Sequence, residues 1–435
     1  MTDVGMGLTG LGVLIALIMV RVPIGIALIG VSFGGLWLLT GPQVAWGAIS
    51  IIPYQFSANW LLSSVPMFLF LGFISYHTQL TRGLFNAARI WLTAVPGGLA
   101  IASIFGSAGF AAVSGSSIAC SAAMGRIAIP EMIKHKYHPE LATGTVAAAG
   151  TIGALIPPSI LLILYGVIAQ VSVSKLFMAG VVAGLLTTVG YALVVLIRVW
   201  LNPALAPERD ATVGFREKMA ALKETWPILL IMIGIFSGLF GGVFTPTEAG
   251  AVGAFLACLV ALVTGQMTAV RFLTAARETL ITTAALLIIA IGASLLARFL
   301  ALSGAGTYLS SAILSVTGDP ILLMIGIVCL YLVIGMFLEP MGAMMLTLPI
   351  ILPVVEAAGW SLLWFGVVLA KLLEIGMLTP PIGMNVFVIK SVVGDLVETM
   401  TIFRGVVWFI LMDLALIALL YAFPQLVLYL PALLV

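Results

Sequence analysis

The fold is decided by two short stretches, Gly153-Ala-Leu-Ile-Pro-Pro158 and Gly376-Met-Leu-Thr-Pro-Pro381. Each interrupts an apolar run, 139–171 or 361–393, that is longer than the roughly 20 residues needed to cross a bilayer. Tandem prolines remove two backbone donors and clash with the preceding turn, so carbonyl groups near Gly153 and Gly376 are left free. The helix that restarts after the prolines presents free N–H groups, which favour an anion. We therefore expect two broken helices whose ends bind a cation and a carboxylate; simple proline kinks are the alternative, which the recurrence disfavours.

The two stretches belong to an internal repeat with one constant offset, the step along the chain that takes Gly153 to Gly376. The same offset relates other helix breakers: Pro23 to Pro246, Gly30 to Gly253, Gly83 to Gly306 and Pro130 to Pro353. One ungapped offset among such positions is hard to obtain by chance, so we predict two homologous halves, 1–201 and 227–435, a plan common among transporters.

The halves are joined by the one long hydrophilic stretch, 202–226. It carries mixed charges: Glu208, Arg209, Asp210, Arg216, Glu217, Lys218, Lys223 and Glu224. At about 25 residues this stretch is too short for a domain, so we predict a cytoplasmic linker.

Composition indicates where these halves reside. Of 435 residues, 62% are hydrophobic and only 8% are charged, and the mean hydropathy is +1.26. Because so little polar surface remains, a soluble enzyme, a nucleic-acid-binding protein and a disordered chain are all excluded. The apolar runs are continuous rather than alternating, which excludes a membrane β-barrel. We therefore predict an all-α polytopic membrane protein.

Each half is predicted to contain five spans. They lie near 8–20, 23–40, 60–77, 139–171 and 176–201 in the first half, and near 227–241, 245–263, 280–300, 361–393 and 401–422 in the second. We expect 8–77 and 227–300 to form a scaffold, which includes the arm-like segments 42–58 and 266–278.

The distribution of basic residues predicts that the halves are inverted. In the first half Arg21, the stretch Arg82 to Arg89, Lys134 and Lys136 lie between apolar segments. Their counterparts near 244, 305–312 and 357–359 contain no Lys or Arg, whereas Arg271 and Arg277 have uncharged counterparts. By the positive-inside rule the basic sets are cytoplasmic and their counterparts external, with both termini outside. Lys175 is the one external charge that departs from this rule.

Each half also contains a pair of short apolar arms around a polar tip, which predicts a re-entrant hairpin. The first, 96–132, has the tip Ser114-Gly115-Ser116-Ser117, and the second, 320–355, has Gly335, Glu339, Pro340 and Gly342 at its tip. Serine hydroxyls and free carbonyl groups are oxygen ligands suited to Na⁺, although small residues also serve close helix packing. Glu339 is expensive in a membrane unless it is paired or functional. A nearby ion site, a proton-carrying role and a simple helix cap are all open for it.

Three basic side chains within apolar segments are candidates to contact a carboxylate substrate: Arg126, Arg298 and Lys371. The alternative for each is snorkelling, or pairing with Glu131, Glu374 or Asp413. If Lys371 points at the cavity, it is expected to influence substrate preference.

The motifs resemble those of a known family. In the first half they are the Gly-Ser-Ser tip, Ile129-Pro130 and Ile156-Pro-Pro-Ser159; in the second they are Phe244-Thr-Pro-Thr-Glu-Ala-Gly250, Leu338-Glu-Pro-Met341, Leu348-Pro-Ile-Ile-Leu-Pro353 and Glu374-Ile-Gly-Met-Leu-Thr-Pro-Pro-Ile-Gly383. Together they are similar to the large, DctM-like membrane subunit of tripartite ATP-independent periplasmic (TRAP) transporters. The similarity extends over essentially the whole chain.

This resemblance implies an importer of organic acids such as C4-dicarboxylates or sialic acid, driven by two or more Na⁺ ions, with an elevator-like transport domain. The implied partners are a small four-helix DctQ-like membrane subunit and a DctP-like periplasmic substrate-binding protein in a bacterial inner membrane. One Na⁺ site is implied at Ser114, Gly115, Ser116, Gly153 and Pro157, and a second at Gly335, Glu339, Gly376, Thr379 and Ile382. The substrate is expected near Ser116, Ser117, Pro158 and Pro381, with Arg126, Arg298 and Lys371 as candidate cations.

Two other functions compete with this one. A stand-alone Na⁺- or H⁺-coupled dicarboxylate or anion transporter would need no binding protein. An intramembrane enzyme would use Ser114, Ser116 or Ser117 as its nucleophile, but no histidine is placed to activate these serines. We therefore expect a transporter and not an enzyme, with no role in binding nucleic acid.

Overall fold

A computed structural model describes residues 2–207, 213–316 and 319–433, and within these ranges the chain is helical and contains no strand. The first half comprises α1 (Asp3–Met19), α2 (Ile24–Thr40), α3 (Pro42–Ser57), α4 (Ser64–His77), α5 (Arg82–Trp91), α6 (Gly98–Ser114), α7 (Ser117–Lys134), α8 (Pro139–Gly150), α9 (Ile160–Ile168) and α10 (Val173–Leu201). Then follow α11 (Phe215–Lys223), α12 (Trp226–Phe240), α13 (Pro246–Val263), α14 (Ala269–Ser303), α15 (Ala305–Val316), α16 (Pro320–Phe337), α17 (Pro340–Ala357), α18 (Leu362–Gly376), α19 (Met384–Val393), α20 (Thr399–Ala422) and α21 (Gln425–Ala432).

Seven of the described helical segments are long and apolar enough to cross a membrane, which confirms the all-α polytopic class. An eighth span is added if α11 and α12, which meet at 57°, are counted as one bent element. The seven include both arms of the second hairpin, α16 and α17, at 18 residues each. Length alone therefore does not separate a re-entrant hairpin from two spans, and the re-entrant path stays a prediction.

The helix boundaries repeat along the chain. Ser117 and Lys134 bound α7, and their counterparts at the repeat offset, Pro340 and Ala357, bound α17. The starts of α5 and α15, and of α8 and α18, are separated by the same offset. The inverted orientation of the halves and their division into scaffold and transport domains stay predictions.

One predicted boundary is absent. The arm 266–278 and the span 280–300 were expected to be separate, but they form a single helix, α14, of 35 residues. No proline lies between Ala269 and Ser303, so nothing interrupts the backbone hydrogen bonds. The equivalent region of the first half does break after α3, where the side chain of Asn59 caps a 3-10 turn at Trp60–Ser63.

The helices pack in two groups. In one, α14 lies along α2 and α4, while α13 packs on α4 and α12. Gly25 and Gly292 let α2 and α14 approach closely, since a Cβ at Gly292 would lie only 2.6 Å from the Leu28 Cβ. In the other group α7 packs on α8 and α19, and α20 packs on α8 and α10. The arm α7, the helix α8 before the first break and the helix α19 after the second break belong to this second group, whereas α17 of the second hairpin packs on α14 as well as on α18.

The linker contains a surface helix that contacts α5. The Trp91 indole N–H donates to the Lys218 carbonyl oxygen at 3.0 Å, and the Asn86 amide donates to a carboxylate oxygen of Glu224 at 2.8 Å. Its charged residues Glu208, Arg209 and Asp210 lie outside the described residues. The cytoplasmic location of the linker stays a prediction.

Candidate ion and substrate site

The first hairpin turns at Gly115. Its φ of +60° lies in the left-handed region that favours glycine, and a Cβ there would collide with the Pro158 carbonyl oxygen. Ser116 then adopts an extended conformation and caps α7, because its hydroxyl accepts a hydrogen bond from the Ala119 N–H at 3.4 Å. The Ser114 hydroxyl is buried and has no partner among the described residues. We call Ser114–Ser117 the first tip.

The first tip rests on the first break, the segment between α8 and α9. A Cβ at Gly153 would lie 2.8 Å from the Ser116 carbonyl oxygen, so tip and break meet backbone to backbone. The Pro157–Pro158 peptide bond is cis. The Ser159 hydroxyl caps α9 by accepting from the Leu162 N–H at 3.3 Å. Every residue of the break is buried.

The second tip, Gly335–Gly342, repeats this cap with a different side chain. Glu339 is the counterpart of Ser116 at the repeat offset, and its carboxylate accepts from the Gly342 N–H at 3.2 Å. Gly342 in turn is the counterpart of Ala119. Of the three roles left open for Glu339, the structure places it as the cap of α17; an ion or proton role stays a prediction.

The second break, between α18 and α19, also meets its tip through glycines. A Cβ at Gly376 would lie 2.5 Å from the Gly335 Cα. The Thr379 hydroxyl donates to the Ile375 carbonyl oxygen at 2.7 Å, and the Pro380–Pro381 peptide bond is cis. In contrast to the first break, the segment from Pro380 to Ile382 is exposed.

Both tips and both breaks converge on one small space, which we call the tip cavity. It is lined by Gly115, Ser116 and Ser117 of the first tip, Ala154 of the first break, Glu339 and Pro340 of the second tip, and Glu374 and Met377 at the second break. Its volume of about 20 Å³ suits a single water molecule or an ion. Segments from opposite halves of the chain thus surround one volume, whose mostly apolar wall includes the side chains of Ser116, Ser117, Glu339 and Glu374.

A larger cavity of about 510 Å³, the side cavity, lies between the tips and the helices α4 and α14. Ser114, Ser116 and Glu339 line it on one side, and Tyr76 and Glu278 line it on the other. Near Tyr76, the His77 imidazole lies 2.9 Å from the Glu278 carboxylate and ties α4 to α14. The side cavity is large enough for a small organic molecule.

The structure separates the three candidate cations. Arg126 is exposed and lines a cavity of about 150 Å³ together with Tyr76, which also lines the side cavity. Arg298 is exposed on α14 and lines neither the tip cavity nor the side cavity. Lys371 is wholly buried, with its ammonium 2.6 Å from a carboxylate oxygen of Asp413. Pairing, the alternative stated for Lys371, is therefore the arrangement found.

The Lys371–Asp413 pair belongs to a buried network. The Tyr191 hydroxyl donates to the second Asp413 oxygen at 2.7 Å and lies 3.0 Å from the Thr151 hydroxyl. Thr151 opens the first break, so the network connects that break to α10, α18 and α20. A one-residue change at either charge would leave its partner buried and unpaired.

Two residues near the second break were not proposed as site residues from sequence: Glu374 was named only as a possible partner of a basic side chain, and Asn385 was not named at all. Glu374 is wholly buried and accepts a hydrogen bond from the Ser117 hydroxyl at 2.7 Å. Asn385, near the start of α19, is wholly buried, and both polar atoms of its side chain lack a partner in the described structure. An acid inside a long apolar run is a signal that would have singled out Glu374. For Asn385 we find no comparable sequence signal.

An all-helical membrane protein in which two hairpin tips and two broken helices enclose a cavity lined in part by serine and glutamate side chains has the architecture of a secondary transporter. The family model of the DctM component of the tripartite ATP-independent periplasmic transporter matches residues 11–426. The chain therefore belongs to this family, which confirms the resemblance in its motifs. It is a transport protein and not an enzyme, and a multi-pass protein of the inner membrane.

Individual relatives agree with this family. The chain is 32% identical to the sialic acid TRAP transporter large permease protein SiaM of Vibrio cholerae, over 96% of this chain and 97% of that protein. It is 34% identical to the C4-dicarboxylate TRAP transporter large permease protein DctM of Pseudomonas aeruginosa, over 80% of this chain and 81% of the relative. The solved YdaH transporter of Alcanivorax borkumensis superposes with a TM-score of 0.61 at 16% identity, covering 88% of this chain and 89% of that one. At that identity the likeness shows the fold alone.

Proposed function

We propose that this chain is the large permease of a TRAP transporter that imports an organic acid in symport with Na⁺. The observation that carries the proposal is the convergence of both tips and both breaks on the tip cavity. In transporters built from repeats, substrate and coupling ions bind where discontinuous helices meet. The named relatives, which carry sialic acid and a C4-dicarboxylate, support an organic acid as the cargo.

Two Na⁺ ions are proposed to bind where each tip meets its break. Around the first tip the ligands are oxygen atoms of Ser114, Ser116 and the backbone near Gly153. The buried Ser114 hydroxyl, which has no partner among the described residues, supports this assignment. Around the second tip they are carbonyl and hydroxyl oxygens between Gly335, Gly376 and Thr379.

The substrate is proposed to occupy the side cavity. Its wall includes the start of α7, where free N–H groups and the helix dipole attract a carboxylate. Ser116, which lines the side cavity, would bind that carboxylate, whereas Ser117, the other serine predicted from sequence, lines the tip cavity. Of the three candidate cations, Arg126 is proposed to contact the substrate, because the smaller cavity that it lines shares Tyr76 with the side cavity.

Transport is proposed to follow an elevator mechanism. The hairpins and broken helices would move as one body against the group formed by α2, α4, α13 and α14. The first tip already packs tightly on α4, since a Cβ at Gly72 would lie 2.9 Å from the Ser114 carbonyl oxygen. A DctQ-like subunit would enlarge the stationary group, and a DctP-like binding protein would deliver the substrate.

The test is uptake by reconstituted vesicles that contain this chain together with its small subunit, supplied with the binding protein. Genes next to that of this chain are expected to encode both partners. Radiolabelled succinate, sialic acid and other carboxylates are offered with an inward Na⁺ gradient. We expect uptake of one class of organic acid that needs both Na⁺ and the binding protein. Uptake by this chain alone would instead indicate a stand-alone transporter, and Na⁺-independent uptake would refute symport.

A further inference from the structure

Glu374 is the exception among the buried charges of this protein. Four side chains of Asp, Glu, Lys or Arg are buried in the described ranges: Arg198, Lys371, Glu374 and Asp413. Lys371 pairs with Asp413, and Arg198 pairs with Glu140. Glu374 has no ion pair within the described structure. An uncompensated carboxylate in a low-dielectric interior is strongly unfavourable, so this side chain either takes up a proton or has its charge balanced by a cation.

Only one of the two oxygen atoms of the Glu374 carboxylate has a hydrogen-bond partner among the described residues. One oxygen accepts from the Ser117 hydroxyl at 2.7 Å, and the other is buried without a partner among the described residues. Glu374 lines the tip cavity, where Ser117 and the carboxylate of Glu339 are also found. An acceptor with a free lone pair, beside a cavity the size of one ion, is suited to bind a cation or a donor.

Nearby basic groups do not fill this role. Lys371 lies one helical turn before Glu374 on α18, but its ammonium lies against Asp413 at 2.6 Å. The groups that face Glu374 from the other tip elements are Ser117 and Glu339, which add oxygen atoms and negative charge. Counting Lys371, Asp413 and Glu374 as ionised, these three wholly buried groups carry one net negative charge, and the partly buried Glu339 is not counted among them.

We propose that Glu374 is the anionic ligand of a further Na⁺ site, which lies in the tip cavity between the two ion sites described above. Ser117 and Glu339 supply further oxygen atoms from the first and second tip. The ion at Glu374 therefore joins the two tips, and its loss weakens the contact between them. This inference rests on the proposed Na⁺ coupling and adds a charged ligand to sites that otherwise use neutral oxygen atoms.

The test uses the purified full chain in detergent, with radioactive ²²Na⁺ binding and thermal unfolding in NaCl or choline chloride. Glu374→Gln keeps the shape of the side chain and removes its charge. In this variant we expect the apparent Na⁺ affinity to fall about tenfold or more, and the thermal stabilisation by Na⁺ to shrink. In choline, Glu374→Gln is expected to unfold no earlier than the wild type, because a buried unbalanced charge has been removed. Glu356→Gln, an exposed carboxylate near the end of α17, is the matched control and should leave both readouts unchanged.

The outcomes distinguish this inference from the proposed function. If the wild type binds Na⁺ and Glu374→Gln binds it equally well, the Glu374 site is refuted while Na⁺ symport stands. If the wild type binds no Na⁺, symport itself fails. If the variant loses only a dependence of its stability on pH, the occupant is a proton and the inference is overturned. Should Glu374→Gln fail to fold, Ser117→Ala serves instead; a several-fold loss of Na⁺ affinity supports the site and an unchanged affinity refutes it.

Discussion

The two broken regions of this protein have the same backbone plan but different chemistry. Ser116 and Glu339 occupy equivalent positions. Each caps the second arm of its hairpin, because its side chain accepts a hydrogen bond from the backbone N–H three residues later. Thr151 and Glu374 are also equivalent, yet the first is hydrogen-bonded to Tyr191 and the second to the opposite tip. Among the described residues, the first tip and break contain no buried charge, whereas α18, which leads into the second break, contains Lys371 and Glu374.

The features that the two regions share are those that the fold requires, and we assign the features that differ to function. Glycine contacts and helix caps recur because both halves must form a tip that rests on a break. The buried charges around the breaks come from the second half, where Lys371 and Asp413 replace residues equivalent to Ala148 and Gly190. We infer that the first region binds its ion with neutral oxygen atoms and helix ends, and that the second region supplies the charge.

The largest expected effect is at the buried ion pair of the second half. Asp413→Asn leaves the Lys371 ammonium buried without its counterion, so we expect the free energy of unfolding to fall by about 3–5 kcal/mol. Thermal unfolding in detergent measures it. Adding Lys371→Met to the same chain should restore much of the loss. If Asp413→Asn alone is as stable as the wild type, the Lys371–Asp413 ion pair does not contribute to the stability of the fold.

The next-largest effect tests whether the glycine contact between tip and break is equally important in the two halves. Gly153→Val and Gly376→Val each place a branched side chain against a tip backbone, and we expect a loss of about 2–3 kcal/mol and of transport in both. Gly12→Val is the control, because nothing lies within 4 Å of a Cβ at that position. Tolerance of one break variant but not the other would show that the two contacts are not equivalent.

Smaller effects are expected at the neutral ion ligands. Ser116→Ala removes a helix cap worth about 1 kcal/mol, and Thr379→Ala removes a hydroxyl at the second break. Each should raise the Na⁺ concentration needed for half-maximal uptake several-fold. Thr264→Ala, which removes a similar hydroxyl at the end of α13, should have no such effect. Unchanged Na⁺ activation in both site variants would refute the two ion sites.

The smallest effect concerns the exposed arginines. Arg126→Gln should raise the KM for the carboxylate substrate by a few-fold at constant kcat, in keeping with the modest strength of exposed charge interactions. Arg298→Gln should leave KM unchanged, because Arg298 lines neither cavity of the site. Uptake kinetics in vesicles decide, and the opposite ranking would move the substrate path from the side cavity towards the C-terminal end of α14.

Much of the fold could be predicted because its boundaries are set by local chemistry. Capping side chains define the starts of α7 and α17, and tandem prolines mark both breaks, whereas Pro130 and Pro353 lie inside α7 and α17 and do not end them. The unbroken α14 was missed because a helix of 35 residues was divided at the length of one bilayer crossing. The short helix α21 was also not predicted.

The site was harder to predict because it depends on contacts between distant segments. The offset identified the tips and breaks, but the bond from Ser117 to Glu374 joins residues 257 positions apart. For Lys371, substrate contact, snorkelling and pairing with Glu131, Glu374 or Asp413 were all open, since sequence does not show which way a buried side chain points. Asn385 is visible only as a buried amide without partners in the described structure.

The central claim is that both tips and both breaks form one cavity that closes around Na⁺. It is tested most directly by the reactivity of Ile118→Cys, which lines the tip cavity and the side cavity, in a chain whose Cys120, Cys258 and Cys329 are replaced by alanine. We predict that Na⁺, but not choline, slows maleimide labelling of this cysteine several-fold, while Leu222→Cys on the exposed α11 is labelled equally in both. Equal labelling of Ile118→Cys with and without Na⁺ would contradict the account.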